Sequence, residues 1–314
     1  MTALTLALPS KGRLKEQVER WLADCGLPLS AGGRAYAAGL TGFPEIEVRL
    51  MPAAEVAAAL ASGEVHFGLT GEDLLREGGE DLEAHTLLLL APGFGRADLV
   101  LAAPRSWIDV ATVADLEEVA HEHLARTGRR LRVATKYAVQ TRRFFARHGL
   151  VDYRIVESAG ATEGAPAAGL AEVVVDITTT GATLEANHLK RLEDGLILRS
   201  QAQLAAGLRA PWSQAALAAA RRLLGVLEAR ARAKETLTLV WPADQDGRAR
   251  EALAAFGREA DWRTSGLLVP ADKLFGAAAA LAEAGVGPVT VTRPEYVFAP
   301  ASEAADRLAD RLSA

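Results

Sequence analysis

Residues 173–184 read VVVDITTTGATL, a run of β-branched residues that ends in an acid, three threonines and a glycine. The pattern predicts a buried strand that carries Asp176 to the start of a helix. Backbone N–H groups at a helix start, several hydroxyls and a glycine that lets the backbone approach a ligand all suit a phosphate. An ordinary strand-to-helix turn with a threonine cap explains the same letters, so the rest of the chain must decide.

Size and charge narrow the classes of protein. The chain has 314 residues, of which 50% are hydrophobic and 24% charged, and this predicts a globular protein with more than one domain. A net charge of -5 and a pI near 5.8 argue against a nucleic-acid or anionic-membrane partner. The first apolar run ends at Pro9, and no stretch approaches the ~20 apolar residues of a membrane span. We therefore expect a cytoplasmic protein.

The single cysteine bounds the redox chemistry. One cysteine, Cys25, excludes an internal disulfide and a thiolate metal cluster. It shares the apolar side of a predicted helix with Leu14, Val18 and Leu22, so we expect a buried and inert thiol.

Strands and helices alternate over the first two thirds of the chain. This alternation predicts parallel strands with crossover helices, arranged as two α/β lobes in tandem. We expect the first lobe at 1–95 and 190–210, and the second lobe at 96–189. Ligands of such sheets lie beyond the carboxyl ends of the strands, which predicts a cleft between the lobes.

The remaining third predicts a separate module. The segment 211–234 is rich in Ala, Leu and Arg at helical spacing and predicts one long connecting helix. Residues 235–314 then follow a βαββαβ-like order, which predicts a small ferredoxin-like α+β domain.

Charged residues occupy three further strand-to-helix junctions. Lys11 and Arg13 flank a glycine at a helix start, where cations gain nothing from the helix dipole, so an anion is expected to compensate them. In LTGEDLL, the acids beside the glycine either line the first lobe or simply cap their helix. In ATKYAVQTRR, Lys136 either faces the cleft or is solvated at the surface. The candidates of the last two junctions are Glu72, Asp73, Lys136 and Tyr137.

A fourth loop, ESAGATEGAP, is too rich in Gly and Ala to be a core strand. It holds Thr162 and Glu163 just before the phosphate-type loop, and loops at strand ends commonly carry binding groups. Independent capping explains each junction alone but not the convergence of all four on one predicted cleft.

The stretches ALPSKGRL, HFGLTGEDLL, RVATKYAVQTRRFF and ESAGATEGAPAAGLAEVVVDITTTGATLEANHL resemble, in order and spacing, the ATP phosphoribosyltransferases that open histidine biosynthesis. The resemblance covers roughly residues 4–205, and DITTTGATLEAN is its most specific part. It implies a periplasmic-binding-protein-like pair of lobes and a Mg²⁺-dependent reaction. In that reaction N1 of ATP attacks C1 of phosphoribosyl pyrophosphate and expels pyrophosphate.

The resemblance also implies residue roles. The acid of the loop, Asp176, would hold the ribose hydroxyls. The 5′-phosphate would lie on Thr179, Thr180, Gly181, Ala182 and Thr183. The catalytic candidates are Lys11, Arg13, Lys136 and Glu163, and the further substrate-binding candidates are Glu72, Asp73, Tyr137 and Thr162.

One position departs from the family pattern. Many short-type relatives carry an arginine shortly before the helix that Pro52 opens here, and that arginine is thought to meet pyrophosphate. Arg49 or Arg34 is the candidate to replace it. The metal ligands stay unassigned by this comparison.

The implied partners are ATP, phosphoribosyl pyrophosphate and further copies of the chain, as a dimer or a hexamer. Long-type relatives end in an ACT-like domain that binds histidine, whereas short-type relatives use a subunit related to histidyl-tRNA synthetase. The module at 235–314 fits the long type in position, so a histidine effector, a separate subunit and a purely assembling module all stay open.

Two other functions stay open as well. A non-catalytic solute-binding protein shares the two lobes but needs no pyrophosphate clamp. A nucleobase-salvage phosphoribosyltransferase usually places two adjacent acids in its loop, whereas Asp176 is followed by Ile177.

Overall fold

The computed structural model describes residues 4–34, 37–79, 81–158, 160–256, 262–263 and 265–313, without the side chains of 31–34, 37, 262 and 263. The chain divides into two compact units. The first comprises residues 1–216 and 311–314, and the second comprises 217–310. In the described part of the chain, no helix has the length and apolarity needed to cross a membrane.

The first lobe is built on a sheet of mixed direction in the order β2-β3-β4-β1-β5-β12-β6. Strand β1 is buried along its whole length and pairs in parallel with β4 and β5, as the alternation predicts. Strand β12 pairs antiparallel with both β5 and β6. The strands are β1 (Leu4–Pro9), β2 (Leu29–Arg34), β3 (Ala37–Leu40), β4 (Phe43–Met51), β5 (Phe67–Gly71), β6 (Thr86–Leu90) and β12 (Ala202–Gly207).

The helices of the first lobe follow the strands. Their apolar sides cover the sheet, as Val18 and Leu22 on the first helix and Val56 and Leu60 on the second are buried. Cys25 is buried and forms no disulfide, so the prediction of a buried thiol is confirmed. The helices are α1 (Gly12–Asp24), α2 (Ala53–Ser62), α3 (Glu72–Glu77) and α4 (Leu82–His85).

The second lobe has a sheet in the order β11-β7-β10-β8-β9. Its central strand, β10, is the one that the opening motif predicts, and Val173, Val174 and Val175 are fully buried in it. The strands are β7 (Ala97–Pro104), β8 (Leu131–Thr135), β9 (Tyr153–Glu157), β10 (Val173–Thr178) and β11 (Leu189–Ser200), and the helices are α5 (Val113–Thr127), α6 (Ala138–His148) and α7 (Ala182–Ala186).

The chain crosses to the second sheet with β7 and returns to the first with β12, which is the connectivity of a periplasmic-binding-protein-like pair of lobes. The sequence assigns residues 190–210 to the first lobe, but β11 pairs antiparallel with β7 in the second sheet. Register shifts interrupt this pairing between Arg191 and Leu198, and these irregularities hide the strand from a search for alternating residues.

The second unit is a small α+β module, as the sequence predicts. Its sheet has the order β14-β15-β13-β16 with antiparallel neighbours, and two helices connect its strands in a βαββαβ order. This order is that of a ferredoxin-like fold. The elements are β13 (Thr236–Val240), α9 (Asp246–Ala252), β14 (Trp262–Arg263), β15 (Gly266–Pro270), α10 (Leu274–Glu283) and β16 (Thr290–Thr292). The long predicted helix is α8 (Gln214–Glu235), and α11 (Glu303–Ser313) lies near the end of the chain.

Candidate active site

The loop after β10 has the backbone of an anion cradle. Gly181 precedes α7 at a φ of 83°, in the left-handed region that favours glycine. Its N–H donates a 2.9 Å hydrogen bond to Oγ1 of Thr178, which fixes the turn. The backbone N–H groups of Thr179, Thr180 and Thr183 donate no hydrogen bond to any described residue. Three donors are therefore left for a ligand.

Asp176 lies at the carboxyl end of β10, among residues that the sequence predicts for the same site. Burial raises the pKa of its carboxyl group above the ordinary value. The Ile177 N–H, 2.8 Å away, and the charge of Lys136 act in the opposite direction, while the charge of Glu163 adds to the rise. The hydroxyl of Thr162 also contacts the carboxylate. The fold thus gathers one cation, two acids and a hydroxyl.

A cleft of ≈ 220 Å³ joins elements of the two lobes beside this loop. Three of its lining residues, Arg13, Asp73 and Thr179, are candidates that the sequence predicts. Arg96 and Gln17 also line it, and the sequence did not predict them. Arg13 and Arg96 form no ion pair with any described residue. The cleft therefore presents two exposed guanidinium groups that form no ion pair with Asp73, the acid of the lining, and this favours a multiply charged anion.

Buried hydrogen bonds connect the two lobes next to the cleft. The hydroxyl of Tyr137 donates to Oδ2 of Asp73 at 2.7 Å, and Oγ of Ser200 donates to Oδ1 at 2.8 Å. The side-chain amide of Gln140 donates to the backbone oxygen of Asp73 at 2.9 Å. Burial, and then the charge of Asp73, raises the pKa of Tyr137 far above its ordinary value, so its hydroxyl stays a donor. These side chains thus contact one another.

Glu72 and Lys11 are not among the residues that line the cleft. Oε1 of Glu72 forms a 2.7 Å ion pair with Arg76 on its own helix, and Oε2 accepts a hydrogen bond from Gln203. Lys11 precedes α1 with an exposed side chain and is not among the lining residues of the cleft. Their predicted roles toward the nucleotide and pyrophosphate stay predictions.

The candidates for the replaced arginine separate in the structure. Arg49 forms ion pairs with Glu47 at 2.9 Å and Glu64 at 3.6 Å, so its charge is already balanced. The side chain of Arg34 lies outside the described residues. Arg96 forms no ion pair with a described residue, and the sequence did not predict it because its segment, GFGRAD, carries no periodic pattern.

A resident metal site is not evident from protein groups alone. Among the described residues, no three His, Cys, Asp or Glu side chains gather as a metal-binding group. Asp176 and Glu163 lie close enough for the charge of Glu163 to raise the pKa of Asp176.

Comparison with known proteins identifies the class. A family model described as HisG: ATP phosphoribosyltransferase matches residues 52–227, so the protein is a phosphoribosyl-transferring enzyme. It is 62% identical over 314 residues to an ATP phosphoribosyltransferase of Caulobacter vibrioides (strain NA1000 / CB15N), covering 99% of this chain and 98% of the relative. It is 49% identical over 304 residues to that of Rhodopseudomonas palustris (strain BisA53), covering 93% of each.

A solved structure agrees with these relatives. The ATP phosphoribosyl transferase (HisG:HisZ) complex from Thermotoga maritima aligns with a TM-score of 0.51 at 26% identity, over 65% of this chain and 87% of that one. The chain belongs to the ATP phosphoribosyltransferase family. It transfers the phosphoribosyl group of phosphoribosyl pyrophosphate to ATP in the first step of histidine biosynthesis, which decides against the solute-binding and salvage alternatives.

Proposed function

We propose that the cradle after β10 holds the 5′-phosphate of phosphoribosyl pyrophosphate, with Asp176 on the ribose hydroxyls. The observation that supports this most is the loop itself, where three N–H groups that bond to no described residue lie beside a half-buried carboxylate. N–H groups without partners favour a phosphate. A ribose hydroxyl that donates to Asp176 favours its charged form, which burial disfavours.

The arginines of the cleft bind the pyrophosphate part. Arg13 and Arg96 supply guanidinium groups, which match phosphate oxygens two at a time. Lys136 lies beside Asp176 at the carboxyl end of the second sheet and contributes the third cation. The developing negative charge on the leaving group is therefore stabilised from several sides.

The chemistry then needs little proton transfer. N1 of the adenine attacks C1 of the ribose with its own lone pair, the C1–O bond to pyrophosphate breaks, and the electron pair of that bond leaves with the pyrophosphate. The positions of the two substrates and the charges around the leaving group supply most of the catalysis.

Mg²⁺ fits this site as an ion that binds together with the substrate. Carboxylate and phosphate oxygens are its preferred ligands, and Asp176 and Glu163 are the acids within reach of each other at the cradle. Bound with the pyrophosphate oxygens, the ion would neutralise part of the charge that builds up on the leaving group.

Direct binding tests the cradle. Phosphoribosyl pyrophosphate is titrated into the protein without ATP, and into Asp176→Ala. We expect at least a tenfold loss of affinity, because a hydrogen bond to a charged group contributes about 1.5–3 kcal/mol. The affinity for ATP, measured separately, stays within about twofold on the same energy scale. Equal affinity of both proteins for phosphoribosyl pyrophosphate would place the ribose elsewhere.

The second unit and the assembly form a further part of the proposal. We infer that the chain is a cytoplasmic homo-oligomer in which residues 217–310 regulate the catalytic unit, with histidine as the ligand. A ferredoxin-like fold without any of the cradle or cleft residues supports this division. A tenfold inhibition needs only ~1.4 kcal/mol of coupling between the two sites.

Two measurements separate this from its alternatives. Histidine is titrated into an activity assay and into a calorimeter, and inhibition with measurable heat supports a histidine site. The Thermotoga maritima structure is a HisG:HisZ complex, so the assay is repeated with a HisZ-type subunit. Activity that appears only with that subunit, without heat from histidine, would show instead a chain that depends on its partner for regulation.

A further inference from the structure

A second basic cavity lies in the catalytic unit, away from the cleft. It has a volume of ≈ 740 Å³ and opens at the amino ends of β8 and β9, whereas Lys136 and the cleft lie beyond their carboxyl ends. Its charged lining comes from β8, β9, α5, the loop between α5 and β8, and the residue just before β10. These residues are Arg129, Arg130, Arg132, Arg154, His123 and Glu172.

The acid of this lining is already neutralised. Nη2 of Arg132 lies 2.6 Å from Oε1 of Glu172, and the backbone N–H of Arg132 donates to Oε2 at 2.6 Å. Burial raises the pKa of Glu172, but the hydrogen bonds and charge of Arg132 outweigh it and hold the pKa below its ordinary value. The pair therefore adds no net charge to the cavity.

Three arginines of the lining, Arg129, Arg130 and Arg154, form no ion pair with any described residue. Their charge stands out in a chain whose net charge is -5.

One of these arginines lies directly beside the neutralised pair. Arg154 on β9 is the cross-strand neighbour of Arg132 on β8, but the carboxylate of Glu172 is already bound by Arg132. The negative end of α5 favours the cations at 129 and 130, just after that helix, because the helix dipole attracts them. It does not explain an arginine on a neighbouring strand that points to the same cavity.

We propose that this cavity binds a small anion that carries two or more phosphate groups. Three unpaired guanidinium groups match the charge of such an anion, and each can bind phosphate oxygens in pairs. The volume lies within the range of small-molecule sites, about 300–1,000 Å³. A concave shape favours a compact ligand over a flat protein surface.

Calorimetry with inorganic tripolyphosphate tests the proposal on the full chain, at about 0.15 M salt so that weak surface attraction is screened. Arg129→Ser with Arg154→Ser removes two unpaired charges and leaves the Arg132–Glu172 pair intact. Arg126→Ser is the matched control, because Arg126 is exposed in the last turn of α5 and does not line the cavity. Arg13→Ala removes a cation from the cleft and identifies binding there.

We expect the double variant to lose one class of binding, with at least a tenfold weaker affinity, and to form product at the parent rate. Arg126→Ser should keep the affinity within about twofold, because exposed charges are screened at this salt. The proposal fails if the double variant binds tripolyphosphate as the parent does, or if all binding disappears in Arg13→Ala. It also fails if the cavity binds an acidic polypeptide such as polyglutamate but not tripolyphosphate. If the parent itself formed no product, the proposed function would fail, whereas the proposal of an anion site in this cavity would not be affected.

Discussion

The hydroxyl of Tyr137 lies 2.7 Å from Oδ2 of Asp73, and this hydrogen bond joins the two lobes of the catalytic unit through side chains that are 0% and 6% exposed. Oγ of Ser200 donates to the other carboxylate oxygen, and Gln140 donates to the backbone oxygen of the same residue, so the buried carboxylate is held by two side-chain donors. A buried charge is tolerated only when it is paired in this way.

Removal of the Tyr137 hydroxyl should therefore destabilise the fold. Tyr137→Phe removes the hydrogen bond to Oδ2 of Asp73 and leaves that buried oxygen without this donor. We expect a loss of about 1–3 kcal/mol in the free energy of unfolding. Urea titration measures it. Tyr153→Phe is the control, because the Tyr153 hydroxyl has no hydrogen bond to a described residue. Equal stability of both variants would show that the bond contributes nothing.

Replacement of Asp176 should stabilise the protein while it harms the site. The raised pKa means that the folded chain holds the proton more tightly than the unfolded chain. The resulting stability is present below the ordinary carboxyl pKa, about 3.9, and is lost as the pH rises through the folded value. Asp176→Asn should thus have a higher Tm than the parent at pH 7, and the gap should close in acid.

The control for this measurement is Asp109→Asn, because Asp109 is exposed on the second lobe. Its Tm should follow that of the parent at both pH values. A Tm of Asp176→Asn equal to or below the parent value at pH 7 would mean that the charged carboxylate does not destabilise the folded protein.

His66 should make the first lobe sensitive to mild acid. Its Nδ1 accepts the Thr5 N–H at 3.2 Å, and its Nε2 lies 3.3 Å from the oxygen of Pro211. Burial lowers the pKa of His66, so the folded chain keeps the neutral ring, with the proton on Nε2. The stability from this arrangement is present above the ordinary pKa of about 6.5 and is lost as the pH falls through the folded value.

Urea midpoints between pH 7.5 and pH 5.5, at about one unit on either side of the ordinary value, measure this effect. The parent should lose more stability over that interval than His66→Gln. His148→Gln is the control, since His148 is exposed at the end of α6. Parallel curves for the parent and His66→Gln would contradict the account.

The sequence predicted the features that depend on local order. The strand–loop–helix at Asp176 and the buried Cys25 follow from residue type and spacing over a few positions. Contacts across long stretches did not follow, since Asp73 and Tyr137 are 64 positions apart and nothing in either segment encodes the other. Strand β11 was missed because β-bulges break its alternation, and Arg96 was missed because a loop carries no pattern.

The two unpaired arginines of the cleft should govern the affinity for pyrophosphate. Arg13→Ala and Arg96→Ala should each weaken product inhibition by pyrophosphate about tenfold, from the loss of about 1.5 kcal/mol in charge-assisted hydrogen bonds. Arg20→Ala, an exposed arginine on the same helix as Arg13, should change it less than twofold, by about the value of a surface charge. Similar inhibition in all three variants would mean that pyrophosphate does not bind to these two arginines.

The most direct measurement compares two glycines that have the same left-handed backbone conformation. Gly181 and Gly149 have φ of 83° and 75°, and a Cβ at either position meets open space, so a valine strains both by about 1–2 kcal/mol. Only Gly181 belongs to the cradle. Formation of phosphoribosyl-ATP with Mg²⁺ and a pyrophosphatase should fall at least 100-fold in kcat/KM for phosphoribosyl pyrophosphate in Gly181→Val, about 2.7 kcal/mol. In Gly149→Val it should stay near the parent value. Equal activity of the two variants would contradict the claim that this loop holds the phosphoribosyl group.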